Sequence, residues 1–222
     1  MTAKRMARMR AALQRRQPDL RVLLDQVNKP RNLSAILRTC DAVGVFQAHV
    51  VWPRGVPAVY HHCAAGVGKW VNVIAHPNVG SAIEMLRAEG LRVYAAHPIA
   101  GALDYRQADY TLPCVVLMGA ELRGVSEDAL GLVDELIAIP MLGLGASVNV
   151  SVAMAVILYE AQRQRLAKGM YDHARLDPET ARRTLFEWLQ PRMARYCREQ
   201  GLPYPELDAE GDLVRLPARR CK

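Results

Sequence analysis

The sequence predicts an α/β protein, a mostly parallel sheet between helix layers with a helical extension at each end. Three observations predict it. Between residues 21 and 167, short β-branched runs alternate with amphipathic segments, the pattern of strand–helix–strand units. The runs are apolar at nearly every position, as in strands covered on both faces. The ends differ from this core in charge: residues 1–20 carry net +5 and residues 163–222 net +4, whereas residues 21–162 carry net −2 of the total +7. The expected organisation is therefore a basic N-terminal helix (1–20), a catalytic core (21–167) and a basic helical extension (168–222).

In chain order, residues 1–20 read as one basic helix with Met6, Met9 and Leu13 on its apolar stripe. RVLLDQV (21–27) is the first strand. Asn32 stands where an N-cap belongs, ahead of Leu33, Ile36, Leu37, Cys40 and Val43, which share one helix face, and Gly44 is the stop. AHVVW, VNVIAH, LRVYAAH, CVVLMG and LIAIP supply five more strands. A helix follows Asn78 and ends at Gly90, and Ser126 heads another with Glu127 and Asp128 at the favourable end of its dipole. The last core helix runs from about Val150 to Lys168 and closes on Gly169. Beyond it, the sequence predicts a helix near 178–190, a break at Pro191, a second basic helix carrying Arg192, Arg195 and Arg198, and a Pro-rich tail.

Composition narrows the function. Five cysteines (Cys40, Cys63, Cys114, Cys197, Cys221) in irregular spacing, with no C-x-x-C pair, argue against a disulfide framework. The basic N-terminus lacks the apolar run of a signal peptide, and no stretch reaches the ~20 apolar residues of a membrane span. A soluble, cytoplasmic protein is expected. A near-neutral body with basic ends fits a catalytic core with extensions that grip nucleic acid, although a charge run is often only solvated surface.

Three segments carry chemistry: NKPRNLSAILRTCDAVGV (28–45), LMGAELRGVS (117–126) and IPMLGLGASVNVSVAMAVILYEAQRQRL (139–166). In the last, Ser147, Asn149 and Ser151 occupy alternate positions where a loop with Gly143 and Gly145 enters a helix. One polar residue suffices for a cap, so three leave capping and a ligand site both open. Ser34 and Arg38, four apart, share the face opposite the apolar stripe, where Arg38 serves either as a surface partner of Asp41 or as a functional group. Glu121 follows a strand and a glycine, placed to order its loop or to accept from a ligand. His61, His62 and Cys63 do not make a metal site, because adjacent side chains diverge and no second ligand cluster exists. There is no G-x-S-x-G elbow and no P-loop, and GLGAS lacks the third glycine of a dinucleotide fingerprint.

Together, in order and spacing, the three segments resemble the three motifs of the SpoU (TrmH) family of RNA ribose 2′-O-methyltransferases, within the SPOUT superfamily. The likeness extends through RRQPDL, DAVGV, VWP and GLPYP and covers nearly the whole chain. The resemblance implies a SPOUT-type parallel sheet with a deep trefoil knot in the C-terminal part of the core, an exception to the rule that chains do not thread. It implies a homodimer that completes each active site and S-adenosylmethionine as the methyl donor, with no metal. It assigns Asn32, Arg38, Glu121, Ser147 and Asn149 to catalysis. Ala96, His97, Gly119, Ala120, Ile139, Met141, Leu144 and Val148 fall to cofactor binding. The implied partner is the D-arm of tRNA, held by the basic flanks, with methylation of the 2′-OH of guanosine 18; neither DNA nor a membrane is expected. A 2′-O-methyltransferase of ribosomal RNA or another tRNA position, a catalytically silent RNA-binding protein and, more distantly, a nicotinamide-linked oxidoreductase are the alternatives. A guanidinium is effectively never deprotonated, so the role favoured for Arg38 is to hold a phosphate and stabilise the developing 2′-alkoxide while a phosphate oxygen or water takes the proton.

Overall fold

A computed structural model of the chain describes residues 3–52, 69–121 and 123–214. The strands are β1 (Leu20–Asp25), β2 (Gln47–Val51), β3 (Asn72–His76), β4 (Arg92–Ala96), β5 (Leu103–Asp104), β6 (Cys114–Met118) and β7 (Glu135–Ala138). The helices are α1 (Ala3–Gln14), α2 (Pro30–Val43), α3 (Val79–Ala88), α4 (Glu127–Leu130), α5 (Val150–Ala167), α6 (Pro178–Leu189) and α7 (Pro191–Gln200). The chain forms two compact units, residues 17–171 and residues 1–16 with 172–222.

In the larger unit the seven strands pair in parallel in the order β3-β2-β1-β6-β4-β7-β5. Side chains alternate across a strand, so the continuous apolar runs supply two cores at once. Leu20, Val22 and Leu24 face one core with Leu33, Ile36 and Leu37 of α2 and Met154, Ile157 and Leu158 of α5. Leu23, Val115 and Leu117 face the other with Ile83 and Leu86 of α3. Arg165 of α5 is fully buried and ties the unit together: its guanidinium donates to Asp19, to Gln17 and to the carbonyls of Tyr110 and Leu112. A buried charge persists only with such a set of acceptors.

Four expectations change. β1 stops at Asp25 because Gln26 is in the left-handed region at φ 57, which ends the extended backbone. α2 begins earlier than the apolar stripe shows: Lys29 is its N-cap and Pro30 occupies the first turn, where its missing N–H costs nothing. Asn32 is thus inside the helix rather than its cap. Ser126 precedes α4 but makes no side-chain cap. β5, a two-residue strand beside β7, escapes the sequence reading because two residues show no period. Asn78 does cap α3, accepting from the Ser81 N–H at 2.8 Å.

In the smaller unit α1 packs against α6, burying Met6, Met9 and Leu13 as the stripe predicts. Arg16 is buried, with its guanidinium 5.3 Å from the centre of the Trp188 ring. Phe186 and Tyr204 stack at 4.5 Å. The break at Pro191 separates α6 from α7, whose Ala194 and Cys197 are buried while Arg192, Arg195 and Arg198 are exposed. His61, His62, Cys63 and Cys221 lie outside the described residues. Among the described residues no helix is long and apolar enough to cross a membrane, and no group of His, Cys, Asp and Glu could hold a metal ion.

Candidate active site

Strands β6, β4 and β7 are neighbours and end level, with Ala96 in register with Met118 on one side and Ile137 on the other. The chain leaving each strand turns over the same stretch of sheet edge, where parallel α/β sheets open a crevice. A cavity of about 520 Å³ lies there, within the range of small-ligand pockets. Met118, Ile137 and Val150 give it apolar walls; Lys29, Glu121, Ser147 and Asn149 give it a polar mouth.

The turn after β6 is built on glycine. A Cβ on Gly119 would lie 1.9 Å from the carbonyl oxygen of Gly124, so the two backbone segments approach as closely as only glycine permits. Gly124, at φ 67, donates its N–H to the Ala120 carbonyl at 2.8 Å and closes the loop that presents Glu121. The His97 imidazole packs beside Gly124 and has a buried Nδ1 with no partner among the described residues.

The three motif segments meet at the cavity mouth in a chain of hydrogen bonds. Asn149 donates through Nδ2 to Asn32 Oδ1 at 3.4 Å, Asn32 donates in turn to Glu121 Oε1, and Lys29 Nζ lies 2.7 Å from Glu121 Oε2. The polar alternation at 147, 149 and 151 divides three tasks. Asn149 is the N-cap of α5, its Oδ1 accepting from the backbone N–H of Ser151 at 2.9 Å and from the Ser151 hydroxyl at 2.7 Å. Its amide nitrogen faces Asn32, and Ser147 faces the cavity. The cap is formed, and the same segment lines the cavity.

Of the residues expected to hold the cofactor, Ala96, His97, Gly119, Ala120, Ile139, Met141 and Val148 line the cavity. Leu144 does not: residues 140–149 are exposed, and its side chain stands fully in solvent. Arg38 is also apart from the cluster. Exposed and without an ion pair among the described residues, it lines a separate groove of about 290 Å³ on the outer face of α2. The surface ion pair with Asp41, the alternative reading of Arg38, is thus not formed. Sequence reasoning missed Lys29, which only its place ahead of Pro30 could have flagged, and Arg123, a cavity-lining residue on the Glu121 loop.

Fold and site define a class: a parallel α/β protein with a ligand crevice at three adjacent strand ends, closed by a carboxylate–amide cluster. Known proteins narrow it. The sequence profile of the SpoU rRNA Methylase family matches residues 19–159, and that of the C-terminal region of SpoU rRNA methylases matches residues 163–216. A tRNA (guanosine(18)-2′-O)-methyltransferase of Thermus thermophilus is 53% identical over 189 residues, 85% of this chain and 97% of that protein. The crystal structure of the A. aeolicus TrmH/SpoU tRNA modifying enzyme superposes with a TM-score of 0.78 at 40% identity, covering 83% of this chain and 94% of that one. The SpoU methyltransferase AviRb from Streptomyces viridochromogenes, in complex with the cofactor AdoMet, gives 0.62 at 27% identity over 68% of this chain and 62% of that one. This chain belongs to the SpoU methylase family.

Proposed function

We propose that the chain is a tRNA (guanosine(18)-2′-O)-methyltransferase, which transfers a methyl group from S-adenosylmethionine to the ribose 2′-OH of the D-loop guanosine. The carrying observation is the Asn149–Asn32–Glu121–Lys29 cluster at the mouth of the three-strand cavity, in a chain so similar to a protein of that activity. The cavity suits the donor: apolar side chains for an adenine ring, close-packed glycine backbone at 119 and 124, and an imidazole nitrogen buried without a partner among the described residues. Ala96, His97, Gly119, Ala120, Ile139, Met141 and Val148 would hold it. The loops after β4, β6 and β7 are those that the family threads into a trefoil knot, and we include that threading in the reading.

Bound there, S-adenosylmethionine supplies an electrophilic methyl group on a positively charged sulfonium. The chain's part is alignment, the main source of acceleration when the electrophile is already activated. Glu121 fixes Lys29 and the Asn32 amide, and Asn149 locks the start of α5 to α2, so the loop bearing Ser147 is ordered over the cavity. Arg38 keeps its proton, holds a phosphate beside the target ribose and stabilises the developing 2′-alkoxide; a phosphate oxygen or water accepts the proton. Because Arg38 does not line the cavity of its own chain, the reading requires a dimer in which Arg38 of the partner subunit completes each site. The apolar residues left exposed support this: Val152, Tyr159 and Leu166, seven apart on α5, and Leu142 and Leu144 in the loop before it. The basic flanks, organised in their own unit, take the tRNA backbone, and the enzyme acts in the cytoplasm.

The test is transfer of labelled methyl from S-adenosylmethionine to an unmodified tRNA transcript, with the modified ribose mapped. Label on guanosine 18 supports the reading. Label elsewhere, or only on ribosomal RNA, keeps the enzyme class and overturns the substrate; tRNA binding without transfer leaves a silent RNA-binding protein.

A further inference from the structure

The outer face of α2 holds a groove that the functional reading leaves half unused. Its walls are Pro30, Arg31, Ser34, Ala35 and Arg38, all from one helix. Arg31 and Arg38 are seven residues apart, so they sit on the same face two turns away from each other, about 10.5 Å along the axis. Between them Ser34 and Ala35 are small, and the groove floor is therefore low. The opposite face of α2 is fully committed to the core through Leu33, Ile36, Leu37, Cys40 and Val43, which fixes this face outward.

Arg31 is unusual in its position. It lies in the first turn of a 14-residue helix that has no acidic residue there, two residues after the N-cap Lys29. The N-terminal end of a helix carries partial positive charge, so a cation there is disfavoured by a few tenths of a kcal/mol to about 1 kcal/mol. Lys29 is compensated by Glu121 at 2.7 Å. Arg31 has no such compensation: it is exposed and forms no ion pair or side-chain hydrogen bond among the described residues, and neither does Arg38. Its own backbone N–H also has no backbone acceptor there. Two guanidinium groups thus flank one groove, Arg31 at the positive end of the helix dipole, and neither meets a carboxylate among the described residues.

We infer that Arg31 and Arg38 form a two-point clamp for neighbouring phosphodiesters of the substrate RNA strand, with Arg31 as a substrate-positioning residue. The inference rests on the functional reading above for the identity of the RNA. Planar guanidinium forks bind phosphate oxygens in pairs, and a groove lined by two arginines with no aromatic side chain offers contacts to a sugar–phosphate backbone rather than a stacking surface for a base. Arg38 reaches the phosphate at the reacting ribose. Arg31, two turns away, takes the adjacent one and sets the direction in which the strand crosses the site.

The experiment measures the dissociation constant of unmodified tRNA transcript across a potassium chloride series, and KM and kcat for methyl transfer, in the full-length chain and in Arg31→Ala, Arg31→Lys and Arg31→Glu. The clamp predicts a loss of tRNA affinity of roughly threefold to tenfold for Arg31→Ala and more for Arg31→Glu. The slope of log K against log salt should become shallower by about one for Arg31→Ala, as for one lost phosphate contact. KM for tRNA rises in step while kcat and S-adenosylmethionine affinity stay near the wild-type values. Arg31→Lys keeps the salt slope and recovers part of the affinity, because it restores charge without the fork. An unchanged slope and KM in Arg31→Ala overturns the clamp. So does a shift in the monomer–dimer balance at unchanged slope, which would make the groove a protein contact. A wild-type chain that binds tRNA in a salt-dependent way but transfers no methyl overturns the functional reading instead, and the slope of Arg31→Ala still decides the clamp.

Discussion

Two residues show how much of the site is set by single atoms. Gly119 has no room for a methyl group, because a Cβ there meets the Gly124 carbonyl at 1.9 Å. Gly119→Ala must therefore open the loop that presents Glu121; the expected result is loss of S-adenosylmethionine binding by at least tenfold in calorimetry, with destabilisation of about 1–3 kcal/mol in a denaturant melt. Arg38 tests the chemistry rather than the frame. If its planar fork stabilises the alkoxide while holding phosphate, Arg38→Lys lowers kcat by at least about tenfold, some 1.4 kcal/mol of transition-state stabilisation. Near-normal kcat in single-turnover assays would remove guanidinium geometry from the mechanism. The resemblance to the family's motifs pointed to Asn32, Glu121 and Asn149, but not to their connections: that Asn32 hydrogen-bonds to residues 89 and 117 positions away depends on where three loops arrive.

At the scale of elements, α5 is apolar on two sides, and one chain satisfies only one of them. Met154, Ile157 and Leu158 are in the core, while Val152, Tyr159 and Leu166 remain about half exposed. Val152→Asp with Tyr159→Asp should shift the chain to monomers in sedimentation and remove methyl transfer without unfolding it, since neither side chain supports the core. Strands β2 and β3 carry a second testable pair. His49 Nδ1 lies 2.9 Å from His76 Nε2; burial and the neighbouring His76 push the His49 pKa down to about 3, and burial also lowers that of His76. The unfolded chain takes up these protons near pH 6.5, whereas the fold resists them. The contribution of His49 is thus complete above pH 6.5 and is lost as the pH falls toward 3, at no more than about 1.4 kcal/mol per pH unit. The melting temperature should drop between pH 7 and 5, and His49→Gln should flatten that drop. Most elements were legible because their apolar periods are long. The start of α2 was not, since a Pro-initiated turn carries no apolar residue to extend the stripe, and β5 has too few residues to show a pattern.

For the whole molecule, the charge division is the feature most open to measurement. Exposed arginines of α1 and α7 lie in the unit formed by the two chain ends, while Leu, Val and Ile of residues 17–171 fill the cores of the other. If about four phosphates are gripped, tRNA affinity should fall roughly a hundredfold or more between 50 and 200 mM salt in filter binding, while S-adenosylmethionine affinity barely changes. The sequence alone determined six of the seven strands and most helices, the parallel α/β class and the basic character of the ends, all of which follow from local period, composition and order along the chain; the motif residues follow from its resemblance to the family. Only the tertiary structure decided that β6, β4 and β7 end side by side, that Lys29 belongs to the cluster, that α1 packs against α6, and that Arg38 and Leu144 stand away from the cavity of their own chain. Those facts depend on contacts between residues far apart in sequence, and no local pattern encodes which strand ends become neighbours or which face of a helix a returning loop meets.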